Sequence, residues 1–480
     1  MDDGRRPPSL FQVLVGARER ATTLAGATIL GDGDVLVSDI THDSRQVRAG
    51  TVFCAVRGAV ADGHRFAPDA VRSGASALVV DRQLDLPVPQ VVVSDVRAAM
   101  GPLAASLFGD PSASLHVVAV TGTNGKTTTC HLLRAIFEAN GWPSGIIGTL
   151  SGARTTPEAP DLQRELARLH DGGAVAVAME ATSIGLEMHR MDGMSVEVAV
   201  FTNLSRDHLD VHHTMGRYFA AKARLFEPSM SKRSVVNFDD PYGRLLADAA
   251  QIPTTGFAIA DVEIEHSDPL SSRFRWRGHL IELPIGGRFN IMNALGAAAA
   301  ASELGIDDAV IAAGLADAPA VPGRFEPIVE GQRFTVLVDY AHTPDGLAVA
   351  LDAVRPLVGD RRIIVVFGAG GDRDQSKRPL MGDAVARRAD VAVVTTDNPR
   401  HEDPGAIISD VVSGIDPSSR ARVLVEPDRR AAITSAMEMA EPGDVVLIAG
   451  RGHERTQSVA GSDIDFDDRD VAREILRAIA

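Results

Sequence analysis

Short, almost wholly apolar runs alternate with helical stretches through the middle of this chain. The runs in this region are 115–120, 174–179, 196–201 and 234–237. Runs without polar alternation are typical of parallel strands buried on both faces, and the helices between them predict a parallel sheet covered on each side. A stretch of small residues at 294–304, ALGAAAAASEL, predicts a closely packed helix.

The same pattern recurs on both sides of this region. The predicted strands are 51–56, 77–80 and 90–93 toward the N-terminus, and 335–338, 362–367, 391–395, 422–425 and 444–448 toward the C-terminus. Two turn signals separate the regions, at 109–111 and 321–323. At 480 residues the chain is too long for one ordinary core. We therefore predict an α/β fold with domains at 1–110, 111–322 and 323–480.

Composition narrows the class of protein. Hydrophobic residues make up 45% and charged residues 23%, which is typical of a globular protein. The net charge of −16 argues against nucleic acid or an anionic membrane as the main partner. The polar N-terminus lacks a signal-peptide core, no apolar run approaches the roughly 20 residues of a membrane span, and Cys54 and Cys130 form no metal or redox motif. We expect a cytoplasmic monomer.

The strand at 115–120 leads into a small-residue loop, TGTNGKTTT at 121–129, which predicts a polyphosphate site. Backbone N–H groups of such a turn face outward, and the helix that follows adds positive potential. Lys126 can neutralise the outer phosphates, and the Thr127 hydroxyl can ligate Mg²⁺. The first glycine, Gly122, stands two positions later than the general P-loop motif requires. An ordinary strand–helix turn with a surface lysine is the weaker alternative.

In the last region, unusual polar sequences follow three of the predicted strands. They are VVFGAGGDRD (365–374), VVTTDNPR (393–400) and VLIAGRGHE (446–454). Ligands of open α/β sheets bind outside the carboxyl ends of the strands. Solvated turns would account for one such loop but poorly for three. We therefore predict a pocket formed by these loops.

Three more side chains occur where a nucleotide site needs them. Glu180 follows a predicted strand, so its carboxylate can face the cleft as a Mg²⁺ ligand. His208 also follows a strand, although taken alone it is better explained as an ordinary hydrogen-bonded histidine. Lys222 has apolar neighbours in YFAAKARLF (218–226). Either its stem snorkels from a packed face, or desolvation lowers its pKa and CO₂ converts it to a carbamate that holds Mg²⁺.

A series of motifs in fixed order resembles the Mur ligases. Besides TGTNGKTTT and YFAAKARLF, the series comprises THDSR (41–45), TTPEAPD (155–161), AMEATSIGL (178–186), FTNLSRDHLDVH (201–212), GRFNIMNAL (287–295), PGRFE (322–326), VDYAHTPDGL (338–347), GAGGDRDQSKRPLMG (368–382), TTDNPRHEDP (395–404) and GRGHE (450–454). The resemblance covers essentially the whole chain. It implies a small N-terminal α/β domain, a central P-loop-type ATPase domain with a parallel sheet, and a Rossmann-like C-terminal domain.

The resemblance implies ATP-dependent amide formation through an acyl phosphate, which needs charge neutralisation where one anion attacks another. The implied ATP-phosphate ligands are Gly122, Thr123, Asn124, Gly125, Lys126, Thr127 and Thr128. The implied adenine-side residues are Asn290 and Asn293. Arg324 and Asp339 would reach ATP from the linker and third domain, although a simple interdomain salt bridge explains Arg324 nearly as well. The implied Mg²⁺ ligands are Thr127, Glu180, His208 and carbamylated Lys222. The implied catalytic residues are Lys126, Glu180, His208 and Lys222.

The implied carboxylate substrate is UDP-N-acetylmuramoyl-L-alanyl-D-glutamate. Ser44 matches a family position near the uracil, and 59–61 follow it in a neighbouring loop. The positions matching contacts to the sugar-peptide are Thr155, Thr156, Thr182 and Arg190. The implied contact of Arg190 with this substrate also has a physical reason, because an acidic, phosphorylated ligand needs a cation.

The implied amino acid is meso-2,6-diaminopimelate. Family members that add it use an Asp-Asn-Pro-Arg motif whose Arg binds the distal carboxylate, and this chain has Asp397, Asn398, Pro399 and Arg400. Arg373, Gly450 and Glu454 match the other positions of that pocket, with Glu454 suited to the distal ammonium. L-Lysine has no distal carboxylate and would leave Arg400 unpaired.

Some positions depart from the family pattern. Thr182-Ser183-Ile184 stands where many relatives have Ser-Ser-His. Arg451 replaces a lysine that is frequent in the family, Thr456 replaces a frequent aromatic residue, and Met188 replaces a glutamine found in some relatives. Three alternatives stay open: a sibling such as the lysine-adding ligase or folylpolyglutamate synthase, a regulatory P-loop NTPase, and a non-catalytic paralogue. The Asp-Asn-Pro-Arg loop weighs against the siblings. The NTPase leaves Lys222 and Arg373 unexplained.

Overall fold

The computed structural model describes residues 6–58 and 61–479. Its elements form three α/β units in chain order. Within the described ranges, no helix combines the length and apolarity needed to cross a bilayer.

The first unit is a small sheet covered by helices. Its strands are β1 (Thr28–Leu30), β2 (Asp39–Thr41), β3 (Thr51–Cys54), β4 (Ala77–Val80) and β5 (Gln90–Val92), and its helices are α1 (Leu10–Arg20), α2 (Ala67–Arg72) and α3 (Val96–Leu107). The strand order is β1-β5-β4-β3-β2, with β1 antiparallel to β5 and the other pairs parallel. All four residues of β4 are buried, as expected of a strand covered on both faces.

The second unit carries a six-stranded parallel sheet. Its strands are β6 (His116–Thr121), β7 (Ser144–Ile147), β8 (Ala176–Glu180), β9 (Val196–Phe201), β10 (Ser231–Asn237) and β11 (Thr254–Phe257). The order β11-β10-β9-β6-β8-β7 places β6 at the centre, between β9 and β8. Alternate residues of β6 enter two different cores, Val118 on one face and Val117 on the other, because successive side chains of a strand point in opposite directions.

Helices cover both faces of this sheet. They are α4 (Lys126–Ala139), α5 (Ala159–Asp171), α6 (Ser183–Glu187), α7 (Leu209–His212), α8 (Met215–Ala223), α9 (Pro241–Asp248), α10 (Arg288–Glu303) and α11 (Asp308–Ala316). A three-stranded antiparallel sheet of β12 (Val262–Ser267), β13 (Ser272–Trp276) and β14 (His279–Leu283) precedes α10. The small residues of α10 are nearly all buried, which is why this helix packs closely against α4.

The third unit has its own six-stranded sheet. Its strands are β15 (Glu326–Ile328), β16 (Thr335–Asp339), β17 (Ile363–Phe367), β18 (Val391–Val394), β19 (Arg422–Val425) and β20 (Val445–Ala449), in the order β15-β16-β20-β17-β18-β19. All neighbours are parallel except β15 and β16. A hairpin of β21 (Thr456–Val459) and β22 (Ser462–Asp465) follows, and the helices are α12 (Pro344–Val358), α13 (Arg378–Ala386), α14 (Pro404–Ser413), α15 (Arg429–Glu438) and α16 (Asp468–Ile479).

Side-chain hydrogen bonds connect the second unit to the first and third units. The guanidinium of Arg164, on α5, donates to the Asp39 carboxylate at 2.8 Å and to the Ile40 carbonyl at 3.0 Å in the first unit. Arg206, after β9, donates to the Ser376 hydroxyl of the third unit at 2.7 Å. These contacts hold the second unit between the other two.

The predicted α/β fold with a parallel central sheet is confirmed. β4, β9 and β19 have the predicted bounds, and the other predicted strands differ from the observed ones by at most three residues at an end. The antiparallel sheet β12–β14 and the hairpin β21–β22 were not predicted. The sequence signal of β13 is the alternation in SRFRW, whose apolar positions are buried and whose arginines are exposed.

Candidate active site

The loop after β6, residues 122–125, is called the phosphate loop here, and the second unit that carries it the phosphate-loop unit. Two glycines with left-handed backbones shape this loop. Gly122 has φ +149° and Gly125 has φ +88°. A Cβ added to Gly122 would collide with the Thr202 hydroxyl, and one added to Gly125 would collide with the Asn293 amide oxygen. Glycine is therefore needed at both positions for steric and conformational reasons. α4 begins at Lys126, so its N-terminus faces this loop.

Hydrogen bonds tie this loop to the segment that follows β9. The Asn124 N–H donates to Asn203 Oδ1 at 3.0 Å, and Thr202 Oγ1 donates to the Asn124 carbonyl at 2.6 Å. Thr123 Oγ1 lies 3.2 Å from the hydroxyl of Tyr218, which is buried on α8. Two separate segments of the second unit, the one after β9 and α8, therefore fix the loop conformation.

Two ammonium groups converge on one carbonyl of this loop. Lys126 Nζ donates to the Gly122 carbonyl at 2.9 Å, and Lys222 Nζ donates to the same oxygen at 2.8 Å. Lys222 is 1% exposed and lies 4.7 Å from the centre of the Tyr218 ring. Burial lowers the pKa of both lysines, and the charge of Lys126 lowers the pKa of Lys222 further. This favours the neutral amine of Lys222, the form that reacts with CO₂.

Glu180, the last residue of β8, meets the start of α4. Its Oε2 accepts a hydrogen bond from the Thr127 hydroxyl at 3.1 Å. Thr149, which was not predicted, donates to the same carboxylate through its backbone N–H at 2.8 Å and its hydroxyl at 3.2 Å. Thr128 is buried one residue further along α4. A carboxylate and a hydroxyl are thus placed side by side at the phosphate loop.

This donor set fits Mg²⁺ in a polyphosphate site. Mg²⁺ usually takes one or two carboxylates from the protein and completes its octahedron with waters and substrate phosphates. Thr127 Oγ1 and Glu180 Oε2 supply two adjacent oxygens. Among the described residues, no group of three or more His, Cys, Asp and Glu side chains is arranged to hold a metal without such help.

His208 lies across the loop from these groups, with a left-handed backbone at φ +54°. Its Nε2 is 3.4 Å from Asp207 Oδ2, and its ring meets the edge of Tyr218 with centroids 6.1 Å apart. Burial lowers the pKa of His208 to about 4, so its ring is neutral at pH 7 and keeps a lone pair.

Asn290 and Asn293 lie at the start of α10 and are both buried. Asn293 Nδ2 donates to Asn290 Oδ1 at 2.9 Å, and Asn290 Nδ2 donates to the Gly286 carbonyl at 2.7 Å. Since Asn293 also touches Gly125, this pair lies directly beside the phosphate loop.

Arg324 reaches the same loop from the segment that joins the second and third units. Its Nη2 donates to the Thr127 hydroxyl at 3.1 Å, and its guanidinium lies 4.3 Å from the centre of the Tyr340 ring. Among the described residues these contacts, and not an ion pair with a carboxylate, hold the guanidinium, so they favour the predicted site role of Arg324 over a simple interdomain salt bridge.

Asp339, at the end of β16, is held by hydrogen bonds from the backbone. Its two carboxylate oxygens accept the backbone N–H groups of Phe325 at 2.7 Å and Ala341 at 2.8 Å. Burial raises the pKa of Asp339, although these N–H groups and Arg324 oppose that effect. These bonds place the Asp339 carboxylate beside the segment that carries Arg324, and its contact with ATP stays a prediction.

The three loops singled out in the third unit come together in a cavity of about 120 Å³. Arg373, Asp397, Asn398, Arg400, Gly450 and Glu454 line it. The second unit closes its other side with Asp207, His208 and Asp210. The cavity thus lies between the phosphate-loop unit and the third unit.

Polar groups of both signs line the outer part of this cavity. Glu454 Oε2 accepts a hydrogen bond from Asn398 Nδ2 at 2.6 Å, and burial together with the nearby Asp397 raises the pKa of Glu454. Arg400 has a left-handed backbone, φ +54°, and its guanidinium donates to the Gly371 carbonyl. Pro399 is buried in the turn before Arg400. A ligand with one ammonium and one carboxylate at the same end matches these charges.

The threonines predicted for the sugar-peptide form a second cluster behind Glu180. Thr156 Oγ1 donates to the Glu180 carbonyl at 2.8 Å and lies 3.0 Å from Thr182 Oγ1, while Thr155 Oγ1 lies 3.1 Å from Thr149 Oγ1. Arg190 donates to the Thr156 carbonyl at 3.0 Å and pairs with Glu158 at 2.8 Å.

Ser44 is placed in the first unit, at the start of a 3-10 turn that Asp43 caps. It does not line the cavity. Of the neighbouring positions 59–61, residues 59 and 60 lie outside the described part of the chain.

Three family models match successive parts of this chain. They are the "Mur ligase family, catalytic domain" at residues 36–106, the "Mur ligase middle domain" at 120–301 and the "Mur ligase, glutamate ligase domain" at 323–452. A relative from Syntrophomonas wolfei, named UDP-N-acetylmuramoyl-L-alanyl-D-glutamate–2,6-diaminopimelate ligase, is 43% identical over 474 residues, covering 93% of this chain and 96% of its own length. The chain belongs to the Mur ligase family.

Other Mur ligases agree with this assignment. A relative of the same name from Streptomyces coelicolor is 42% identical over 475 residues, covering 93% of this chain and 94% of its own. A solved structure with that enzyme name has 34% identity and a TM-score of 0.66, covering 94% of this chain and 96% of its own. The structure of a Thermotoga maritima MurF ligase in complex with ADP has a TM-score of 0.64 at 21% identity, covering 92% and 97%, and bears on the fold alone.

Several residues of the candidate Mur ligase site were not predicted from the sequence. Thr149 holds Glu180, while Tyr340, His342 and Lys377 line the cavity. Tyr340 and His342 follow strand β16 at the same sheet edge as the predicted loops, so strand-end position was the usable signal. Thr149 lies outside any regular element, and the sequence carries no comparable signal for it.

Two departures from the Mur ligase pattern have structural counterparts. Arg451 is fully buried, and its Nη2 donates to the Thr456 carbonyl at 2.6 Å and the Phe466 carbonyl at 2.9 Å. It therefore holds both ends of the hairpin β21–β22. At the position of Ile184 no imidazole is available, but His212 Nε2 lies 2.9 Å from the neighbouring Ser183 hydroxyl.

Proposed function

We propose that this Mur ligase joins meso-2,6-diaminopimelate to UDP-N-acetylmuramoyl-L-alanyl-D-glutamate at the expense of ATP, in peptidoglycan biosynthesis. The observation that carries the proposal is the cavity in which the phosphate-loop unit faces a pocket with both Arg400 and Glu454. Relatives above 40% identity over nearly the whole chain bear the name of this enzyme. The nucleotide assignment is supported by the ADP bound to a Mur ligase of the same fold.

The first step is attack of a substrate carboxylate on the γ-phosphate of ATP, which gives an acyl phosphate. Two anions repel each other unless cations surround them. Lys126, Arg324 and the N-terminus of α4 supply this positive charge from three directions. Asn290 and Asn293 are assigned to the adenine side of the same nucleotide.

Thr127, Glu180, His208 and a carbamylated Lys222 are assigned as the residues that hold Mg²⁺. Bound there, Mg²⁺ would screen the phosphate and carboxylate charges. Burial favours the neutral Lys222 amine, which CO₂ would convert to a carbamate anion with release of a proton, so the modification would place a negative charge beside the ammonium of Lys126. The paired Glu180 and Thr127 oxygens support the metal assignment.

The second step is attack of an amine on the acyl phosphate. The outer part of the cavity would hold the distal end of diaminopimelate, with Arg400 and Arg373 on the carboxylate side and Glu454 with Asp397 on the ammonium side. Asn398 fixes Glu454 for this contact. Thr155, Thr156, Thr182 and Arg190 would hold the sugar-peptide, with Ser44 toward the uracil.

The assignment is tested by measuring phosphate release from ATP while each substrate is omitted in turn. The ligase requires both UDP-N-acetylmuramoyl-dipeptide and diaminopimelate. A regulatory NTPase would release phosphate with neither, and a non-catalytic paralogue would release none under any condition. Either of those results contradicts the proposal.

We also propose that the enzyme acts in the cytoplasm as a monomer. ATP supply there and two buried free thiols, Cys54 and Cys130, support the location.

A further inference from the structure

The inner end of the cavity brings two hydrogen-bond acceptors from different units close together. Asp207 follows β9 in the second unit, and His342 follows β16 in the third. Asp207 Oδ2 and His342 Nε2 are 3.9 Å apart, and both side chains line the cavity. Asp207 lies near enough to the phosphate loop for its charge to act on Lys126.

One hydrogen bond fixes which nitrogen of His342 carries the proton. Nδ1 lies 2.8 Å from the Tyr340 carbonyl oxygen. A carbonyl oxygen can only accept, so Nδ1 must be the donor. In the neutral ring, Nε2 then presents a lone pair to the cavity, and burial lowers the pKa of His342, which favours that neutral ring.

Asp207 also keeps one oxygen for the cavity. Its Oδ1 accepts the backbone N–H of His208 at 2.9 Å, whereas Oδ2 lies between two imidazoles, 3.4 Å from His208 Nε2 and 3.9 Å from His342 Nε2. Two acceptors 3.9 Å apart leave room for one nitrogen about 2.9 Å from each. An ammonium group, with three donors and a positive charge, suits this position better than water or a hydroxyl.

We propose that Asp207 and His342 form the subsite for the reactive ammonium of the incoming amino acid, an inference that rests on the proposed function. The substrate then spans the cavity, with its distal end between Arg400 and Glu454 and its reacting end at the phosphate-loop unit. Lys377 lines the same inner end and suits the carboxylate on the reacting carbon. The subsite exists only while the second and third units face each other.

Binding of two ligands to the full chain tests this subsite. meso-2,6-Diaminopimelate has an ammonium at both ends, whereas 2-aminopimelate, used as each enantiomer, has one at only one end. Calorimetric titration with a nonhydrolysable ATP analogue present measures both affinities. We expect wild type to prefer diaminopimelate by at least about tenfold, the usual worth of a charged hydrogen bond.

His342→Leu removes the acceptor and should reduce that preference by about tenfold. His342→Gln places an amide oxygen near the position of Nε2 and should retain most of it. His401→Leu is the matched control, because His401 is exposed and does not line the cavity. If His342→Leu weakens both ligands equally, or neither, the inference is overturned.

Two further readouts keep the test decisive. If circular dichroism shows that His342→Leu is unfolded, Asp207→Asn is measured in its place. This variant must then reduce the preference for diaminopimelate over 2-aminopimelate. If wild type binds diaminopimelate more tightly but forms no product, the proposed function fails while the subsite stands. If product forms and the preference survives both variants, the subsite alone fails.

Discussion

Lysine is rare in this protein and is concentrated at the candidate site. The 48 basic residues include four lysines, Lys126, Lys222, Lys232 and Lys377. Lys222 and Lys377 are buried, Lys126 is half-buried, and Lys232 is exposed. Arginine, which keeps its proton in proteins, supplies the other cations. Amines that can change charge are therefore nearly confined to the region where ATP and the amino acid are proposed to meet.

The first prediction concerns Lys222. Lys222→Ala should lower kcat on the order of a hundredfold or more, because the variant loses the proposed anionic metal ligand. Acetate or formate should partly restore activity by entering the space that the side chain leaves. Phosphate release measured with and without these acids checks the prediction.

Lys232→Ala is the control, because it removes an exposed lysine of the same unit. An unaffected Lys222→Ala enzyme would end the carbamate hypothesis. Loss of activity without rescue would leave only a packing role for the side chain.

Residues at strand ends were the predictable part of the site. Glu180 and Asp397 could be placed because the carboxyl ends of parallel strands meet at one edge of a sheet. Their partners could not, because Thr149 and the backbone N–H of Phe325 become neighbours only through loop conformation. Arg324 shows the same limit, since its contact with Thr127 spans 197 positions.

At the scale of elements, two loops carry the proposed chemistry, and contacts from other elements hold both of them in place. The phosphate loop is fixed by the segment after β9 and by α10. The Asp-Asn-Pro-Arg loop is fixed by the hairpin β21–β22. Arg400 N–H donates to the Ser458 carbonyl at 2.9 Å, and the Ser458 N–H donates to Asn398 Oδ1 at 2.9 Å. The sequence predicted both loops but not the hairpin, whose bonds to Arg400 are long-range.

The second prediction concerns Gly122. Gly122→Ala should raise the KM for ATP and lower kcat, because the new methyl group meets Thr202 and the backbone has φ +149°. Such strain costs about 1–3 kcal/mol, which corresponds to roughly tenfold to a hundredfold in nucleotide affinity. Nucleotide titration of the purified variant measures the change.

Gly26→Ala is the matched control, because nothing lies within 4 Å of a Cβ added there and its backbone carries no strain. Equal nucleotide affinity for the two variants would contradict the steric account of the loop.

The third prediction concerns the hairpin. Gln457 is buried, and its Nε2 donates to the Asp397 carbonyl at 2.5 Å. Gln457→Ala should raise the KM for diaminopimelate about tenfold, because the Asp397–Arg400 backbone loses a support, while the KM for ATP stays unchanged. Asp463→Ala, on the exposed strand β22, should change neither constant. A parallel rise in both KM values for Gln457→Ala would contradict this account, because the effect would not be confined to the amino-acid pocket.

At the scale of the whole molecule, the proposed reaction requires the second and third units to face each other. The cavity takes its walls from both, and Arg206, His342 and Arg324 contact across the junction. The α/β fold followed from periodic apolar runs. The relative position of the units did not, because it depends on isolated polar contacts that no periodic pattern encodes.

The fourth prediction is that stability falls with acidification between pH 6.5 and about 4. Burial lowers the pKa values of His131, His208 and His453 from 6.5 to about 4. In that window the unfolded chain binds more protons than the folded one, so the free energy of unfolding decreases as the pH falls. Stability from these groups is fully present above pH 6.5. The melting temperature measured from pH 7 to 4 should decrease, and a flat profile would contradict the assignment.

The central claim is that the third-unit pocket selects a substrate with a carboxylate and an ammonium at its far end. The most direct measurement is kcat/KM for meso-2,6-diaminopimelate and for L-lysine on the same enzyme preparation, with ATP and UDP-N-acetylmuramoyl-L-alanyl-D-glutamate saturating. Because L-lysine leaves Arg400 unpaired, we predict a preference for diaminopimelate of at least about a thousandfold. Equal turnover of the two amino acids would contradict the account.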